Sequence, residues 1–202
     1  MFWFKLRRLL TRFISTSASR AADLLATVKS GEAAAYKNYR ADILMERLTG
    51  RSPDRFKTKQ MEYGSATESV ARTMYSLTTG NIVKESGIYV VSGKNICASL
   101  DGEVGREGLI EVKNREISNH IESISTGKVP TEYYKQIQLQ LFVTGRLWGD
   151  YVSYADEMPE NAQLFIKRTF RDEVMIADIE KRYAQLELDI AKYTKIITEY
   201  KG

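Results

Sequence analysis

The spacing of hydrophobic and polar residues predicts helices in the first third of the chain. Residues 20–26 follow serines that can cap a helix, and residues 32–48 carry helix formers up to Gly50. A third helical stretch covers residues 61–77 and is expected to stop near Gly80, because glycine commonly follows the last turn of a helix. This part of the chain is therefore predicted to be mainly helical.

After Gly80 the spacing of the hydrophobic residues changes from the helical period to a period of two residues, which is typical of strands. A glycine-containing loop is predicted at 101–108, a polar loop or short helix at 114–130, and an amphipathic helix at 132–145. The predicted strands are 87–91, 95–100, 109–113, 151–154 and 164–166.

The end of the chain, residues 171–202, has the most regular pattern and predicts one long helix. Its apolar residues recur in steps of three and four, which indicates a heptad seam that packs on the body or on a second subunit. Helices on both sides of a central run of strands favour the α/β class, with a central mixed sheet flanked by helices in a single domain, residues 1–202. The seam residues are Ile176, Ile179, Tyr183, Leu186, Ile190, Tyr193, Ile197 and Tyr200.

Composition agrees with one globular domain and excludes several kinds of site. The 202 residues are 43% hydrophobic and 28% charged, with only three prolines. Cys97 is the only cysteine and His120 the only histidine. An internal disulfide, a Cys₂His₂ zinc site and a four-cysteine cluster are thereby excluded, and a serine-hydrolase scheme lacks support. Cys97 is expected in the core of a protein of the reducing cytoplasm, and His120 in a solvent-facing loop.

The formal net charge of +4 is compatible with a polyanionic partner, and the basic residues gather in the N-terminal half, where we expect a phosphate backbone to lie. The first fourteen residues combine aromatics with arginines and contain no acidic residue. Two interpretations fit these residues. They are either an organelle presequence or membrane-surface helix, or they form the first strand or helix of the domain, with the basic residues facing DNA. No apolar run is long enough to span a membrane.

Candidate chemistry lies on the predicted strand 109–113. Side chains alternate along a strand, so Glu111 and Lys113 project to the same side. A surface ion pair would explain them equally well. Asp101 directly precedes Gly102, however, and a hairpin can bring it beside Glu111. Two adjacent carboxylates repel each other unless a divalent cation lies between them.

The neighbouring groups suit phosphodiester hydrolysis. The main-chain carbonyl of Val112 can supply a further oxygen to a metal, and Lys113 would lie near a bound phosphate. On the helix predicted at 61–77, Glu68 shares a face with Ala71 and Tyr75, and this face can approach the sheet. The alternative for Glu68 is an ordinary solvated glutamate.

These residues resemble the PD-(D/E)xK nuclease superfamily, and more narrowly the phage lambda exonuclease or YqaJ-type alkaline exonuclease family. Leu100 stands where the superfamily motif has proline, a change that removes no ligand. The matching blocks, in order, are Arg12-Phe13 with Ser17-Ala18-Ser19, Tyr63-Gly64 with Glu68, Ala98-Ser99-Leu100-Asp101-Gly102 with Glu111-Val112-Lys113, and Tyr133-Tyr134-Lys135-Gln136-Ile137-Gln138.

The resemblance implies a role for each matching residue. Lys113 becomes the catalytic lysine, and Tyr133 and Gln136 are a polar pair on a helix next to the metal. The implied ligands of Mg²⁺ (or Mn²⁺) are Asp101, Glu111 and the Val112 carbonyl, with Glu68 assisting. The residues implied to grip a DNA 5′-phosphate are Arg12, Ser17 and Ser19, although helix capping also explains the two serines. Residues 1–11 have no assigned counterpart and form a basic extension.

The implied function is 5′→3′ digestion of one strand of double-stranded DNA from its ends, leaving 3′ single-stranded overhangs for recombination. The implied assembly is a ring-shaped homotrimer, and the implied partner is a single-strand annealing protein of a phage or prophage. No membrane association is expected. Two alternatives remain: another nuclease of the superfamily, either an endonuclease or a single-strand exonuclease, and a non-catalytic DNA-binding module.

Overall fold

The computed structural model describes residues 16–51, 59–114 and 116–201, with the backbone alone for 59–66 and 114. The α-helices are α1 Ala21–Leu24, α2 Ala34–Thr49, α3 Lys59–Thr79, α4 Ile117–Thr126, α5 Thr131–Thr144 and α6 Glu173–Glu199. The strands are β1 Thr16–Ser17, β2 Val83–Lys84, β3 Ile88–Val90, β4 Ile96–Ser99, β5 Gly102–Val104, β6 Gly108–Asn114, β7 Trp148–Tyr154 and β8 Leu164–Phe170. Short 3₁₀ turns lie at Ala18–Arg20 and Glu160–Ala162.

The strands form two hydrogen-bonded sheets. The larger has the order β2-β5-β6-β7-β8, with β6 and β7 parallel and the other pairs antiparallel. The smaller has the order β1-β4-β3, with β1 parallel to β4. The mixed α/β fold expected from the order of elements is therefore confirmed.

The central strand β6 is covered on both faces. Leu109 belongs to one apolar cluster with residues of α5 and α6, whereas Ile110 and Val112 belong to another with Ala71 and Tyr75 of α3. The predicted approach of the α3 face to the sheet is thus observed. Because both faces are covered by helices, any polar side chain on β6 is removed from water unless it lies near an end or an edge of the sheet.

The C-terminal helix packs on the body along the first part of its seam. Five seam residues are buried, from Ile176 to Ile190, and Asp172 caps the helix by accepting bonds from the amides of Val174 and Met175. The last two seam residues, Ile197 and Tyr200, are 49% and 79% exposed. Packing of the seam on the body is therefore confirmed for the residues from Ile176 to Ile190, and packing of its end on a second subunit stays a prediction.

Part of the predicted loop 101–108 is a strand. β5 occupies its first half, and only the three residues after Val104 form the turn. Gly102 is required by close packing, since a Cβ there would lie 2.3 Å from a methyl group of Val83 on β2. A short strand beginning with glycine has no alternating apolar signal, which explains why the sequence pattern indicated a loop.

His120 is also placed differently from the prediction. It lies on α4, fully buried, with Nδ1 2.8 Å from the Ser153 hydroxyl and Nε2 2.7 Å from the Ala162 carbonyl oxygen. The carbonyl can only accept, so Nε2 carries a proton and donates to it; in the neutral imidazole Nδ1 then accepts from the Ser153 hydroxyl. The prediction that His120 lies in a solvent-facing loop is therefore wrong. Both hydrogen-bond partners of the imidazole are distant in the sequence, so the local pattern around His120 did not indicate them. The predicted core position of Cys97 is confirmed.

Candidate active site

The candidate site lies where β5 begins to pair with β6. The register places Gly102 opposite Ile110, so the next residues of β6 have no β5 residue beside them. Asp101 fills this place, with Oδ2 accepting a 2.7 Å hydrogen bond from the amide of Val112. The amide and carbonyl of one strand residue point to the same side, so the Val112 carbonyl also faces this open edge. The hairpin thus brings Asp101 next to β6, the strand that carries Glu111 and Lys113.

Glu111 is only 1% exposed, and protein donors hold both of its carboxylate oxygens. Oε1 is ion-paired with Lys113 and accepts a 2.6 Å bond from Nε2 of Gln136. Oε2 accepts a hydrogen bond from Nε2 of Gln140. A buried carboxylate is tolerated only with such partners, and these partners fix its orientation.

Burial and the neighbouring charges change the pKa of Asp101 and the pKa of Lys113. Burial raises the pKa of Asp101 well above its ordinary value, and the charges of Glu111 and Glu68 add to this, with Lys113 acting in the opposite direction. Burial by itself would lower the pKa of Lys113, but Glu111 and Asp101 outweigh it, so this pKa is raised. The site therefore favours the protonated form of both the Asp101 carboxyl and the Lys113 amine.

Glu68 reaches the site through Arg72. The guanidinium of Arg72 is paired with Glu68 one turn earlier on α3, and its Nη1 donates a 3.1 Å bond to the main-chain oxygen of Asp101. A second guanidinium nitrogen lies 3.2 Å from Glu85. Arg72 thus attaches α3 to the start of the hairpin. No functional role was predicted for this arginine from its position in the sequence.

The predicted Tyr133 and Gln136 of α5 both reach the site. The Tyr133 ring centroid lies 5.1 Å from Nζ of Lys113, and the ring stacks on Tyr151 of β7 at 5.6 Å. Gln136 is bonded to Glu111 as described above. Their one-turn spacing therefore places both side chains beside the carboxylate and the lysine.

Gln140 is a site residue that the sequence interpretation missed. It lies one turn after Gln136 and is fully buried, within a run that contains the buried Ile137, Leu139 and Leu141. The available signal was the spacing of four between two glutamines on a helix that already carried one candidate.

The predicted phosphate-binding residues are described only in part. Ser17 pairs with Cys97 in the β1–β4 ladder, and its hydroxyl lies 3.0 Å from that of Ser19. Ser17 makes no side-chain capping bond to the 3₁₀ turn that follows it, so the capping explanation is wrong for this serine. Arg12 lies outside the described residues.

The donor set fits a hard divalent cation through two carboxylates and a main-chain oxygen. Oδ1 of Asp101 accepts no hydrogen bond from any described residue, and the Val112 carbonyl faces the same edge. Oxygen ligands of this kind suit Mg²⁺ or Mn²⁺. Within the described ranges, no group of three or more His, Cys, Asp or Glu side chains is arranged to hold a metal. Glu68, the third acidic residue near the site, has its carboxylate paired with Arg72.

None of the helices in the described parts of the chain is long and apolar enough to cross a membrane.

Several solved structures are similar to this fold over nearly its whole length. The alkaline exonuclease LHK-Exo from Laribacter hongkongensis is 38% identical, with a TM-score of 0.81, covering 98% of this chain and 97% of its own. A structure of LHK-Exo in complex with dAMP is 37% identical, with a TM-score of 0.81, covering 94% of this chain and 97% of its own. A phage-related exonuclease from Haemophilus somnus 129PT, at 15% identity and a TM-score of 0.74, covers 91% of this chain and 96% of its own and shows the same fold.

No curated protein matches the sequence. The family model of the YqaJ-like viral recombinase domain matches residues 2–147, which include the basic N-terminal segment. The resemblance inferred from the sequence blocks is thereby confirmed: the chain belongs to the family of YqaJ-like viral recombinase domains.

Proposed function

We propose that this chain is a metal-dependent exodeoxyribonuclease that hydrolyses phosphodiester bonds at DNA ends. Membership of the YqaJ-like family and the similarity to LHK-Exo support a nuclease role. The observation that carries the proposal is the buried Glu111, held beside Asp101 and Lys113 where β6 extends beyond the start of β5. A protein that only binds DNA gains nothing from paired carboxylates, because they repel phosphates.

Asp101, Glu111 and the Val112 carbonyl would hold Mg²⁺ or Mn²⁺. A divalent cation bound there would polarise a phosphoryl oxygen and lower the pKa of a water molecule. Glu68 assists in this proposal only after it separates from Arg72, since the two are paired in the structure.

Besides the metal ligands, three side chains of the protein contribute to hydrolysis in this proposal: Lys113 on β6, and Tyr133 and Gln136 on α5. The protonated amine of Lys113 neutralises the charge that develops on the phosphoryl group and orients the attacking water. Gln136 holds the carboxylate of Glu111 with its amide group. Tyr133 covers the amine of Lys113 with its ring and keeps it in place against the stack on Tyr151.

The finer properties rest on resemblance to the family. We propose 5′→3′ digestion of one strand of duplex DNA, with a 3′ overhang as product and Arg12, Ser17 and Ser19 at the 5′-phosphate. The dAMP bound in the LHK-Exo complex supports a site that accepts a deoxynucleoside monophosphate. A ring-shaped homotrimer and a single-strand annealing partner belong to the same proposal, as does action in the cytoplasm of a bacterial host.

One set of reactions tests the activity. The full chain is incubated with 5′-phosphorylated linear duplex, closed circular duplex and single-stranded DNA, with Mg²⁺ or with EDTA. We expect loss of linear duplex alone, only with Mg²⁺, and no product from the Lys113→Ala variant. Asp101→Ala should abolish turnover while duplex binding, measured in EDTA, stays close to that of the unchanged protein.

Other outcomes decide against the proposal. Cleavage of closed circles identifies an endonuclease, and preferential loss of single strands identifies a single-strand exonuclease. Binding without hydrolysis in either Mg²⁺ or Mn²⁺ identifies a DNA-binding module.

A further inference from the structure

Gln140 connects β6, which carries Glu111, to the end of β4, from which the chain leads to Asp101. Its Nε2 donates to Oε2 of Glu111 on β6 and, at 3.2 Å, to the main-chain oxygen of Ser99. Ser99 is the last residue of β4, and Asp101 follows two residues later. One amide group therefore joins the smaller sheet to the larger sheet at the point where the chain passes between them.

The two neighbours of Gln140 fix the direction of its amide. A carbonyl and an ionised carboxylate are both acceptors, so only the –NH₂ end can face them. An amide nitrogen carries two protons, and these two contacts use both. The other end, Oε1, is buried without a hydrogen-bond partner among the described residues. Burying Oε1 without a hydrogen bond costs free energy, so the orientation of the amide is stabilised by the two bonds that its nitrogen donates.

Gln136 and Gln140 act on opposite sides of the same carboxylate. Gln136 is partly exposed and bonds the oxygen that also meets Lys113. Gln140 is fully buried and donates to the other oxygen, Oε2, from the interior of the protein. Gln140 therefore cannot touch a substrate, and any effect it has on the reaction must pass through Glu111 and the β4–β5 connection.

We propose that Gln140 is a positioning residue that sets the separation and orientation of Asp101 and Glu111, and thereby the affinity of the site for its divalent cation. This inference rests on the proposed function, because it takes the two carboxylates as metal ligands. Groups that orient metal ligands by hydrogen bonds typically change metal affinity or activity by about 10–100-fold when they are removed.

The test is the replacement Gln140→Met, which keeps the length of the side chain and removes both donors. Mn²⁺ binding to the full chain is measured by titration calorimetry without DNA, and the Mg²⁺ concentration for half-maximal hydrolysis is measured separately. We expect Mn²⁺ to bind about tenfold or more weakly, and the Mg²⁺ requirement to rise by a similar factor. At saturating Mg²⁺ the KM for duplex should stay unchanged, because Gln140 does not contact DNA.

Gln138→Met is the matched control. Gln138 is also fully buried on α5 and also makes two hydrogen bonds, but to the Phe170 carbonyl and the Asp172 amide. This variant should lose stability like Gln140→Met and keep the Mn²⁺ affinity of the unchanged protein. Equal losses of affinity in both variants would reduce Gln140 to a general packing residue and overturn the proposal.

The remaining outcomes are also decisive. If Gln140→Met does not fold, Gln140→Asn takes its place: it keeps the amide, is too short to reach both acceptors, and should also bind Mn²⁺ more weakly. Unchanged affinity in the folded variant overturns the role of Gln140 alone. If the unchanged protein binds no Mn²⁺ and hydrolyses no DNA, the proposed function fails and the role of Gln140 fails with it.

Discussion

At the scale of single residues, the candidate site is held together by charges that oppose one another. Burial, Glu111 and Glu68 raise the pKa of Asp101, and Lys113 offsets part of this effect. A raised folded-state pKa means that the folded protein binds this proton more tightly than the unfolded chain does. The stability contributed by Asp101 is therefore complete below the unfolded pKa, about 3.9, and is lost as the pH rises through the folded-state pKa.

Removing the charge of Asp101 should consequently stabilise the metal-free protein. We expect Asp101→Asn to melt at a higher temperature than the unchanged protein at pH 8 in EDTA, by about 2–4 °C for each kcal/mol of repulsion removed. The asparagine oxygen can still accept the bond from the Val112 amide. Thermal melting in EDTA and in Mg²⁺ checks this, and Mg²⁺ should raise the melting temperature of the unchanged protein only. A lower melting temperature of the variant in EDTA would contradict the assigned repulsion.

His120 should matter for stability and not for catalysis. His120→Leu keeps much of the volume but leaves the Ser153 hydroxyl and the Ala162 carbonyl without their partner. Each polar group left unpaired in the interior costs about 1–3 kcal/mol. Urea denaturation should show a loss in this range or larger, with DNA hydrolysis by the folded variant unchanged. A loss below about 0.5 kcal/mol, the usual result at a surface position, would restore the solvent-facing interpretation.

At the scale of elements, the β5–β6 hairpin carries both carboxylates, and a buried arginine holds its turn. Arg146, just after α5, donates to the carbonyls of Gly105 and Gly108 at 3.1 and 2.7 Å and to Glu103 at 2.6 Å. The site therefore depends on a contact made at the opposite end of the hairpin from Asp101.

Removal of Arg146 should weaken the hairpin. We expect Arg146→Ala to lower the free energy of unfolding by on the order of 3 kcal/mol, since it leaves Glu103 and two carbonyls without their cation. Activity per folded molecule should fall as well, because Asp101 and Glu111 lie on this hairpin. Arg106→Ala, at an exposed position on the same turn, is the control and should change stability by less than about 0.5 kcal/mol. A similar effect of the two replacements in urea denaturation would exclude the role given to Arg146.

Helix α4 shows why the sequence pattern failed for His120. Its isoleucines, Ile117, Ile121 and Ile124, are 39–47% exposed, whereas His120 and Ser123 are buried. Amphipathic patterns assume that the apolar side of a helix faces the core. Here the polar side faces inward because Ser153 and the Ala162 carbonyl supply its hydrogen bonds.

At the scale of the whole molecule, α6 connects the N-terminal helices to the sheet. Arg47 of α2 forms a two-point pair with Glu187, and Arg40 of α2 bonds Asp189. The hydroxyl of Tyr183 accepts a 2.8 Å bond from the amide of Asn95, just before β4. These contacts lie in the first two thirds of the helix, and residues 195–201 are exposed.

Two truncations should separate these parts of α6. Removal of residues 195–202 should cost less than about 1 kcal/mol of stability, because the side chains of residues 195–201 are exposed. Removal of residues 188–202 also takes away the buried Ile190 and Asp189, one of the two carboxylates paired with Arg40, and should cost about 3 kcal/mol or more. Chemical denaturation of both variants measures the difference. Equal losses would show that the exposed end contributes contacts of its own, for example to a second subunit.

Much of the architecture was decided by the local sequence. The α/β class and the long terminal helix follow from hydrophobic periods, which report the face that each element buries. The Asp-Gly step and the Glu-x-Lys spacing also placed Asp101, Glu111 and Lys113 correctly on one hairpin, since a strand turns alternate side chains to the same side. The one-turn spacing of Tyr133 and Gln136 indicated a shared helix face in the same way.

Only the tertiary structure decided which groups meet across long sequence separations. Gln140 bonds Ser99 and Glu111, 41 and 29 residues away, and His120 meets Ser153, 33 residues away. The packing of the sheets and helices determines which groups come into contact. The sequence around a buried glutamine or histidine is the same whichever group becomes its hydrogen-bond partner, so the sequence does not identify that partner. The sequence therefore indicated the carboxylates, the lysine and Gln136, whereas the packing decided that Gln140 holds the second oxygen of Glu111.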